Sequence, residues 1–320
     1  MSNDRIPVIV SAARTAIGGF GGTLAKISAP DLGAVAIRAA VERAGIDHGT
    51  IDEVFMGSVV PAGLGQAPAR QASIKAGLPA SVGAVTLNKV CGSGLKTAMM
   101  AAGLVKAGDG EIYVAGGMEN MNLAPYLLQQ GRTGYRLGHG NVLDACVHDG
   151  LWCPFEDQHM GLAAEWIAEE YGISREEQDR FAVESHQKAV AAQGAGRFLE
   201  EIVPVEVPQR RGDPLIFDVD ENPRRDSSME RLARLRPVFK KDGTVTAGNA
   251  SAITDGAAAV VVMSQAKAEE LGIQPLAHIT GYTYGAVEPL KIFTAPAFAL
   301  RNLVQKNGTT LEDYDLFELN

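Results

Sequence analysis

The sequence has 320 residues, of which 46% are hydrophobic and 21% charged, a balance typical of globular enzymes. Its net charge of −9 argues against nucleic acid as the main partner, because binding phosphates requires a local excess of basic residues. No uninterrupted apolar run reaches the roughly 18 residues of a membrane-spanning helix, so no membrane partner is expected. The opening residues do not resemble a secretory signal, and Cys91, Cys146 and Cys153 are predicted to be reduced thiols of a cytoplasmic protein.

The first third of the chain alternates predicted strands with predicted helices. Strands are expected over residues 5–14, 53–60, 83–88 and 111–120, and helices over residues 29–47, over 67–78 and from the turn at Cys91 onward. In the first of these helices, Asp31 is the expected N-cap and Gly45 the expected C-terminal stop. The alternation predicts an α/β architecture in which helices cover a sheet.

The pattern changes after Asn122. Residues 122–160 lack clear periodicity, and two helices are then predicted over residues 160–172 and 174–193. Ser174 and Glu177 have the spacing of a capping box for the second helix. A polar, proline-rich stretch follows to about residue 249, and strand character returns over residues 256–264 and again over 276–285.

These changes predict a division into domains. We expect an N-terminal domain formed by residues 1–121 plus 252–275, and an inserted loop domain over residues 122–251. A C-terminal domain is expected to begin within residues 276–320.

Residues 29–58 and 295–320 resemble each other. Each segment runs from Ala-Pro through a helix, a glycine and an acidic turn to a short predicted strand, which contains Phe55 in the first and Phe317 in the second. The pattern predicts an internal duplication, although many unrelated helix–turn–strand units look alike. A duplicated second copy would have only begun at the last residue, so we expect a chain cut short within its second half.

Cys91 lies in the stretch LNKVCGSGLKTAMMAA, where a predicted strand meets a predicted helix. A helix N-terminus presents unpaired N–H groups and partial positive charge, which favour a thiolate and can stabilise an oxyanion on a thioester carbonyl. Gly92 and Gly94 leave room for a substrate above the backbone. The turn therefore predicts a nucleophile, and the alternative is a buried packing thiol.

Segments along the whole chain resemble the thiolase family, the acetyl-CoA C-acetyltransferases. In family order they are RTAIGGFGG, NKVCGSGLKTAMMAA, GGMENMNLAPY, HMGLAAEW, SREEQDRFAVESHQKA, GTVTAGNASAITDGAAA and DLFELN. Ala16 stands where the family usually has proline. The resemblance implies a duplicated, layered αβαβα fold with an inserted loop domain, here with its second half incomplete.

The resemblance also implies a reaction and a nucleophile. Cys91 corresponds to the cysteine that one acyl-CoA acylates and that a second acetyl-CoA enolate then attacks in a reversible Claisen condensation. Its backbone N–H corresponds to one oxyanion donor. Asn320 corresponds to the asparagine of an Asn-Glu-Ala-Phe motif, which positions a water at the other oxyanion hole. The expected setting is fatty acid metabolism, in a homodimer or homotetramer, with CoA thioesters as substrates and no permanently bound cofactor or metal.

A further set of residues corresponds to the family's acyl and CoA contacts. Its members are Leu151, His159, Met160, Arg224, Phe239, Ala247 and Ser251. Arg224 would stack on the CoA adenine, and the segment NPRRDSSMERLARLRPVFKK around it holds seven basic and two acidic residues. A helix-capping role for His159 and a merely solvated basic face are the plainer alternatives.

Two motifs of the family do not occur in the sequence. These are the Gly-His-Pro motif, whose histidine activates the nucleophile, and the Cys-x-Gly-Gly motif, whose cysteine is the acid/base. The remaining histidines are predicted at surface or loop positions, and Cys146 and Cys153 as packing thiols. We expect the chain to lack that histidine and second cysteine. A ketoacyl synthase, disfavoured by the long insertion, and a non-catalytic CoA- or lipid-binding protein are the alternatives.

Overall fold

The computed structural model of the protein describes residues 5–319. Its strands are β1 (Pro7–Thr15), β2 (Gly18–Gly19), β3 (Glu53–Gly57), β4 (Gly83–Leu87), β5 (Ile112–Asn120), β6 (Tyr126–Leu127), β7 (Leu143–Asp144), β8 (Trp152–Cys153), β9 (Gln158–His159), β10 (Ile202–Val203), β11 (Val205–Val207), β12 (Leu215–Phe217), β13 (Thr254–Ser264) and β14 (Ala277–His278). Its α-helices are α1 (Ala29–Ala44), α2 (Pro68–Lys75), α3 (Ser93–Ala107), α4 (Ala145–Gly150), α5 (Met160–Glu170), α6 (Arg175–Gly194), α7 (Met229–Ala233), α8 (Gln265–Glu270) and α9 (Ala295–Asn307).

The chain forms two compact units. The sheet unit contains the chain up to Gly150 together with Ala191–Pro223 and Ala252–Ile279. The loop unit contains Leu151–Val190, Arg224–Ser251 and the chain from Thr280 onward. Compactness does not by itself define independently folding domains, so the domain boundaries expected from the sequence remain a proposal.

A mixed sheet forms the centre of the sheet unit, with the strand order β10-β1-β13-β5-β3-β4. β13 is antiparallel to both of its long neighbours, β1 and β5, whereas β5, β3 and β4 run parallel. The parallel register of β3 and β5 places Gly57 directly opposite Gly117. Gly57 is the last residue of β3 and Gly117 lies three residues before the end of β5, so the two glycines meet near the carboxyl edge of these parallel strands, where α/β folds build their sites.

Helices cover both faces of this sheet, as the alternating sequence predicts. Val54 and Met56 of β3 lie in the core cluster that also contains the buried side chains of α1 and α2. Phe55, between them, lies in the second cluster, with Ala101 and Val105 of α3. Successive side chains of a strand point to opposite faces, so α3 lies on the face opposite α1 and α2.

The ends of α1 test the expected caps. Gly45 adopts a left-handed conformation with φ +65° and ends the helix, which confirms the predicted stop. The expected N-cap Asp31 is wrong, because the helix begins at Ala29 and the Ser28 side chain accepts the Asp31 N–H. Pro30 fits the first turn of the helix, where its missing N–H costs nothing, so the cap precedes it.

In the loop unit, the predicted capping box is confirmed. The Ser174 N–H donates to the Glu177 carboxylate at 2.8 Å, and the Glu177 N–H donates back to the Ser174 hydroxyl at 3.2 Å. Two orphan donors at the start of α6 are thus satisfied.

The second copy of the proposed repeat follows the first only in part. α9 ends at Gly308, which is left-handed with φ +67°, and a short 3₁₀ helix follows over Leu311–Asp313. Among the described residues, no strand forms at Phe317, where the repeat predicts one. In the first copy, the corresponding strand, β3 with Phe55, pairs with β4 and β5, which follow it in the chain. The strand expected over residues 276–285 is confirmed only at Ala277–His278, because only these two residues pair with β1, at Val8 and Ile9. The expected strand over residues 279–285 is wrong.

Within residues 5–319, no helix combines the length and the apolar character needed to cross a membrane.

The start of α3 lies in direct contact with the sheet at Gly57. A Cβ added to Gly57 would lie 2.6 Å from Ser93 Cβ and 2.9 Å from the Gly94 nitrogen. A Cβ added to Gly94 would come no nearer than 3.8 Å to any heavy atom outside its own helix, an ordinary contact. The absent side chain at Gly57 therefore allows the helix to begin where it does.

We predict that Gly57→Ala lowers the free energy of unfolding by about 1–3 kcal/mol, because the added carbon meets backbone atoms that cannot rotate away. The matched control is Gly94→Ala, which we expect to be neutral, or stabilising by up to about 1 kcal/mol, because alanine favours a helix over glycine. Urea denaturation of both variants measures the effect. Equal stabilities would contradict the close packing at Gly57.

Candidate active site

Cys91 lies in the turn between β4 and α3, and its side chain is exposed. The N-cap of α3 is Gly92, and no described side chain caps the first turn of the helix. The Gly92 and Ser93 N–H groups donate to the Lys89 and Val90 carbonyls at 3.2 and 3.0 Å, and no side chain takes up the later N–H groups of the turn. An exposed sulfur at an uncapped helix N-terminus has the arrangement that the sequence predicts for a nucleophile.

A chain of hydrogen bonds supports this turn from within the sheet unit. The Glu119 carboxylate accepts the N–H groups of Val59 and Val60 at 2.6 and 3.2 Å. The Val59 carbonyl in turn accepts from the Asn88 side chain at 3.1 Å, and the Asn88 side-chain oxygen accepts the Val90 N–H at 2.9 Å. Burial raises the pKa of Glu119, the backbone donors oppose that rise, and nearby Asp255 adds to it. Sequence reasoning missed this half-buried carboxylate.

A cleft of about 580 Å³ lies beside the same turn, within the sheet unit. Its lining includes Ser58, Thr86, Asn88 and Asp149. Its volume falls in the range of small-molecule sites, and Asn88 is common to the cleft and to the hydrogen bonds that support the Cys91 turn.

The loop unit brings four of the predicted acyl and CoA contacts together. Leu151 accepts the Met160 N–H at 2.8 Å, and β8 and β9 pair so that Trp152 lies opposite His159. The His159 ring stacks on Phe239, with 4.7 Å between ring centroids. Leu151, His159, Met160 and Phe239 therefore form one cluster at the start of α5.

His159 is also the N-cap of α5. Its Nδ1 accepts the Gly161 N–H at 3.0 Å, which requires that Nδ1 carry no proton. Burial lowers the pKa of His159, so the structure favours the neutral ring. The helix-capping role considered for this residue is present, and the capping nitrogen leaves Nε2 for other contacts.

The segment containing Ala247 and Ser251 is held by buried carboxylates that sequence reasoning missed. Glu165 is buried within α5 and accepts the N–H groups of Thr244 and Val245 at 2.8 Å each. Asp179 of α6, also buried, accepts from the Asn249 side chain at 2.8 Å. Ala247 and Ser251 themselves are exposed. Glu165, within the apolar stretch GLAAEWIA of α5, was the available signal, whereas Asp179 stands among polar residues of α6.

Arg224 is exposed, and its backbone is anchored by a histidine. The Arg224 N–H donates to His186 Nδ1 at 3.2 Å, and both burial and the charge of Arg224 lower the pKa of His186. His186 is half-buried on α6, so its expected surface or loop position is wrong.

The basic segment around Arg224 is partly neutralised by its neighbours. Arg231, Arg234 and Lys240 form ion pairs with Asp226, Glu230 and Glu169, respectively. Within residues 5–319, Arg224, Arg225, Arg236 and Lys241 form no ion pair, so these four cations remain available to anionic groups.

Cys91 belongs to the sheet unit and the predicted CoA contacts to the loop unit, and Asn320 lies outside the described residues. Cys146 and Cys153 are buried, as expected for packing thiols, and burial, followed by nearby Asp144, raises the pKa of Cys146. In the part of the chain that the structure describes, no group of three or more His, Cys, Asp or Glu side chains could hold a metal ion.

The family follows from comparison with known proteins. The model of the thiolase N-terminal domain matches residues 7–266. The chain belongs to the thiolase family. It is 55% identical to an acetyl-CoA acetyltransferase of Pseudomonas aeruginosa and 56% identical to one of Cupriavidus necator, each over 313 residues. These alignments cover 98% of this chain and 80% of each relative.

Solved structures of thiolases share the fold. The acetyl-CoA acetyltransferase of Bacillus anthracis superposes with a TM-score of 0.96 at 41% identity, covering 98% of this chain and 80% of that one. The corresponding enzyme of Syntrophomonas wolfei gives a TM-score of 0.94 at 43% identity, covering 98% and 78%. The predicted thiolase-like α/β fold is therefore confirmed.

The lowered pKa of His159 predicts a dependence of stability on pH. Protonation of the His159 ring is disfavoured in the folded protein, so the stability that depends on the neutral ring is fully present above the ordinary pKa of 6.5. It is lost as pH falls from there through the lower pKa of the folded state. We expect the wild-type protein to lose more stability between pH 8 and pH 5 than His159→Asn, which keeps a capping side chain but does not titrate.

Urea midpoints measured across this pH range for both proteins test the prediction. His186 also titrates with a lowered pKa but is common to both proteins, so it cancels in the difference. Parallel pH profiles would show that the His159 ring is not held neutral by the fold.

Proposed function

We propose that this thiolase transfers acyl groups between CoA thioesters through an acyl-enzyme on Cys91. The supporting observation is the exposed Cys91 thiol at the uncapped start of α3, in a chain of this family. The relatives named above are acetyl-CoA acetyltransferases, and proteins of Staphylococcus aureus at 50% identity are named probable acetyl-CoA acyltransferases. These names favour a transferase over the non-catalytic alternative.

In the first step, the Cys91 thiolate attacks the carbonyl carbon of an acyl-CoA. The carbon–sulfur bond to CoA breaks, CoA leaves as a thiolate that takes up a proton, and the acyl group remains on Cys91. The oxyanion of the tetrahedral intermediate would be stabilised by the backbone N–H of Cys91 and by the dipole of α3.

In the second step, acetyl-CoA that has lost a proton from its methyl carbon attacks the acyl carbon. A carbon–carbon bond forms, Cys91 leaves as a thiolate, and the product is a 3-ketoacyl-CoA. With acetyl groups the product is acetoacetyl-CoA, and thiolysis is the same sequence in reverse. The thiolase resemblance assigns proton transfer to the two motifs absent from this sequence, so the residues described here support nucleophilic attack and CoA binding.

The CoA moiety is proposed to contact the loop unit. Leu151, His159, Met160 and Phe239 would face the acyl and pantetheine groups, and the free cations around Arg224 suit the phosphates. Ala247 and Ser251 would contact CoA on the segment that Glu165 holds in place. Asn320 is proposed as the residue that positions the water of the second oxyanion hole.

The cellular setting is part of the same proposal. Three free cysteines are compatible with a reducing cytoplasm, and the reaction fits fatty acid metabolism. β4 forms an outer edge of the sheet, with Val85 exposed, and an open strand edge of this kind favours pairing with another chain. We therefore propose a homodimer or homotetramer.

Acylation of Cys91 can be tested directly. Wild-type protein incubated with acetyl-CoA is expected to gain one acetyl group, and peptide mass spectrometry should locate it on Cys91. Cys91→Ser should gain none, because a serine hydroxyl lacks the reactivity of a thiolate at neutral pH. Cys153→Ala, which removes a buried cysteine, is the control that should still be acetylated. An acetyl group retained in Cys91→Ser would contradict the assignment.

Arg224 can be tested by its effect on CoA affinity. We expect Arg224→Ala to weaken CoA binding by about 1–2 kcal/mol, through lost stacking on the adenine and lost charge. Arg225→Ala removes an equal charge from the neighbouring exposed residue and should cost less. Calorimetric titration measures the CoA affinity of both variants. If the two variants lost equal affinity, Arg224 would contribute only its charge and not a stacking contact.

A further inference from the structure

The turn that carries Cys91 contains an unusual backbone conformation. Val90 has φ +49°, in the left-handed region that β-branched residues rarely adopt. Among the described non-glycine residues, only Ala67 and Asp157 share a positive φ, and neither is β-branched. Such a conformation persists only where surrounding contacts enforce it.

The Ser93 hydroxyl supplies two of these contacts. Its Oγ accepts the Lys89 N–H at 2.8 Å and donates to the Val90 carbonyl at 2.6 Å. The two bonded groups lie at opposite ends of the Lys89–Val90 dipeptide, so one oxygen atom fixes the dihedral angles between them. Cys91 is the next residue, and its direction follows from those angles.

Ser93 is itself unable to move away. It is 4% exposed, and the close approach of its Cβ to Gly57 places the strand backbone directly behind it. On the other side of the turn, Asn88 accepts the Val90 N–H. Both the N–H and the carbonyl of Val90 are therefore hydrogen-bonded to side chains.

We propose that Ser93 is a positioning residue for Cys91, whose hydroxyl holds Val90 in the left-handed conformation and thereby keeps the thiol at the start of α3. The inference rests on the proposed role of Cys91 as the nucleophile. Ser93 has no direct role in the chemistry, and it acts through the conformation of Val90.

A suppressor experiment separates this role from ordinary packing. Glycine adopts a positive φ without steric cost, so a turn with Val90→Gly no longer needs the hydroxyl to hold it. We expect Ser93→Ala to slow acetylation of Cys91 by acetyl-CoA about tenfold to hundredfold in the wild-type background, as for a misplaced reacting group. In the Val90→Gly background the same substitution should slow it less than about threefold.

The alkylation rate of Cys91 with iodoacetamide provides a second readout that needs no CoA. It should follow the same pattern, because a displaced thiol loses the helix N-terminus. Cys146 and Cys153 are buried and report unfolding if they become reactive. Where Ser93→Ala unfolds the protein by this criterion, Asn88→Ala replaces it, with the same suppression expected from Val90→Gly.

The outcomes are distinct. Equal losses in the two backgrounds, or no loss in Ser93→Ala, would overturn the positioning role and leave the proposed function standing. Absence of acetylation in the wild-type protein would overturn the proposed function, while the alkylation rates would still decide whether Ser93 positions the thiol.

Discussion

The contact between Gly57 of β3 and the first residues of α3 is the constraint on which the Cys91 turn depends. Because Gly57 lacks a side chain, Ser93 lies against the strand backbone, and the helix starts at the carboxyl end of a parallel strand pair. Ser93 then closes the turn at Val90, and Cys91 is exposed at the uncapped helix end. A helix that began further from the sheet would present the thiol without this fixed direction.

Carboxylates perform the corresponding task in both units, half-buried Glu119 in the sheet unit and buried Glu165 in the loop unit. Glu119 holds the backbone that supports Asn88, and Glu165 holds the backbone that leads to Ala247. Each carboxylate accepts at least two backbone N–H groups, which compensates the cost of its burial and fixes a loop that has no regular structure. Residues proposed to touch the substrate are exposed or half-buried, while Glu165, which fixes the segment leading to Ala247, is buried.

The sequence predicted what depends on local pattern. The alternating strands and helices, the Gly45 stop, the Ser174 capping box and the exposed thiol at a helix start are all present. Short motifs sufficed to identify the family, because they occur along the whole chain in family order.

What the sequence could not predict depends on contacts between distant residues. The N-cap of α1 was misplaced, since Asp31 is instead paired with Lys75, which is far along the chain. The glycines around Cys91 were interpreted as leaving room for a substrate, and nothing in the sequence indicated that Val90 is the left-handed residue of the turn while Gly92 has φ −82°. The strand expected over residues 276–285 is short because β10 and β14 share one edge of β1.

The central claim is that the start of α3 both presents the nucleophile and stabilises the oxyanion. A crystal structure of the protein after reaction with acetyl-CoA tests it most directly. The account predicts an acetyl group on Cys91 Sγ whose carbonyl oxygen lies about 3 Å from the Cys91 backbone nitrogen. An acetyl group on another residue, or a carbonyl oxygen pointing away from the start of α3, would contradict it.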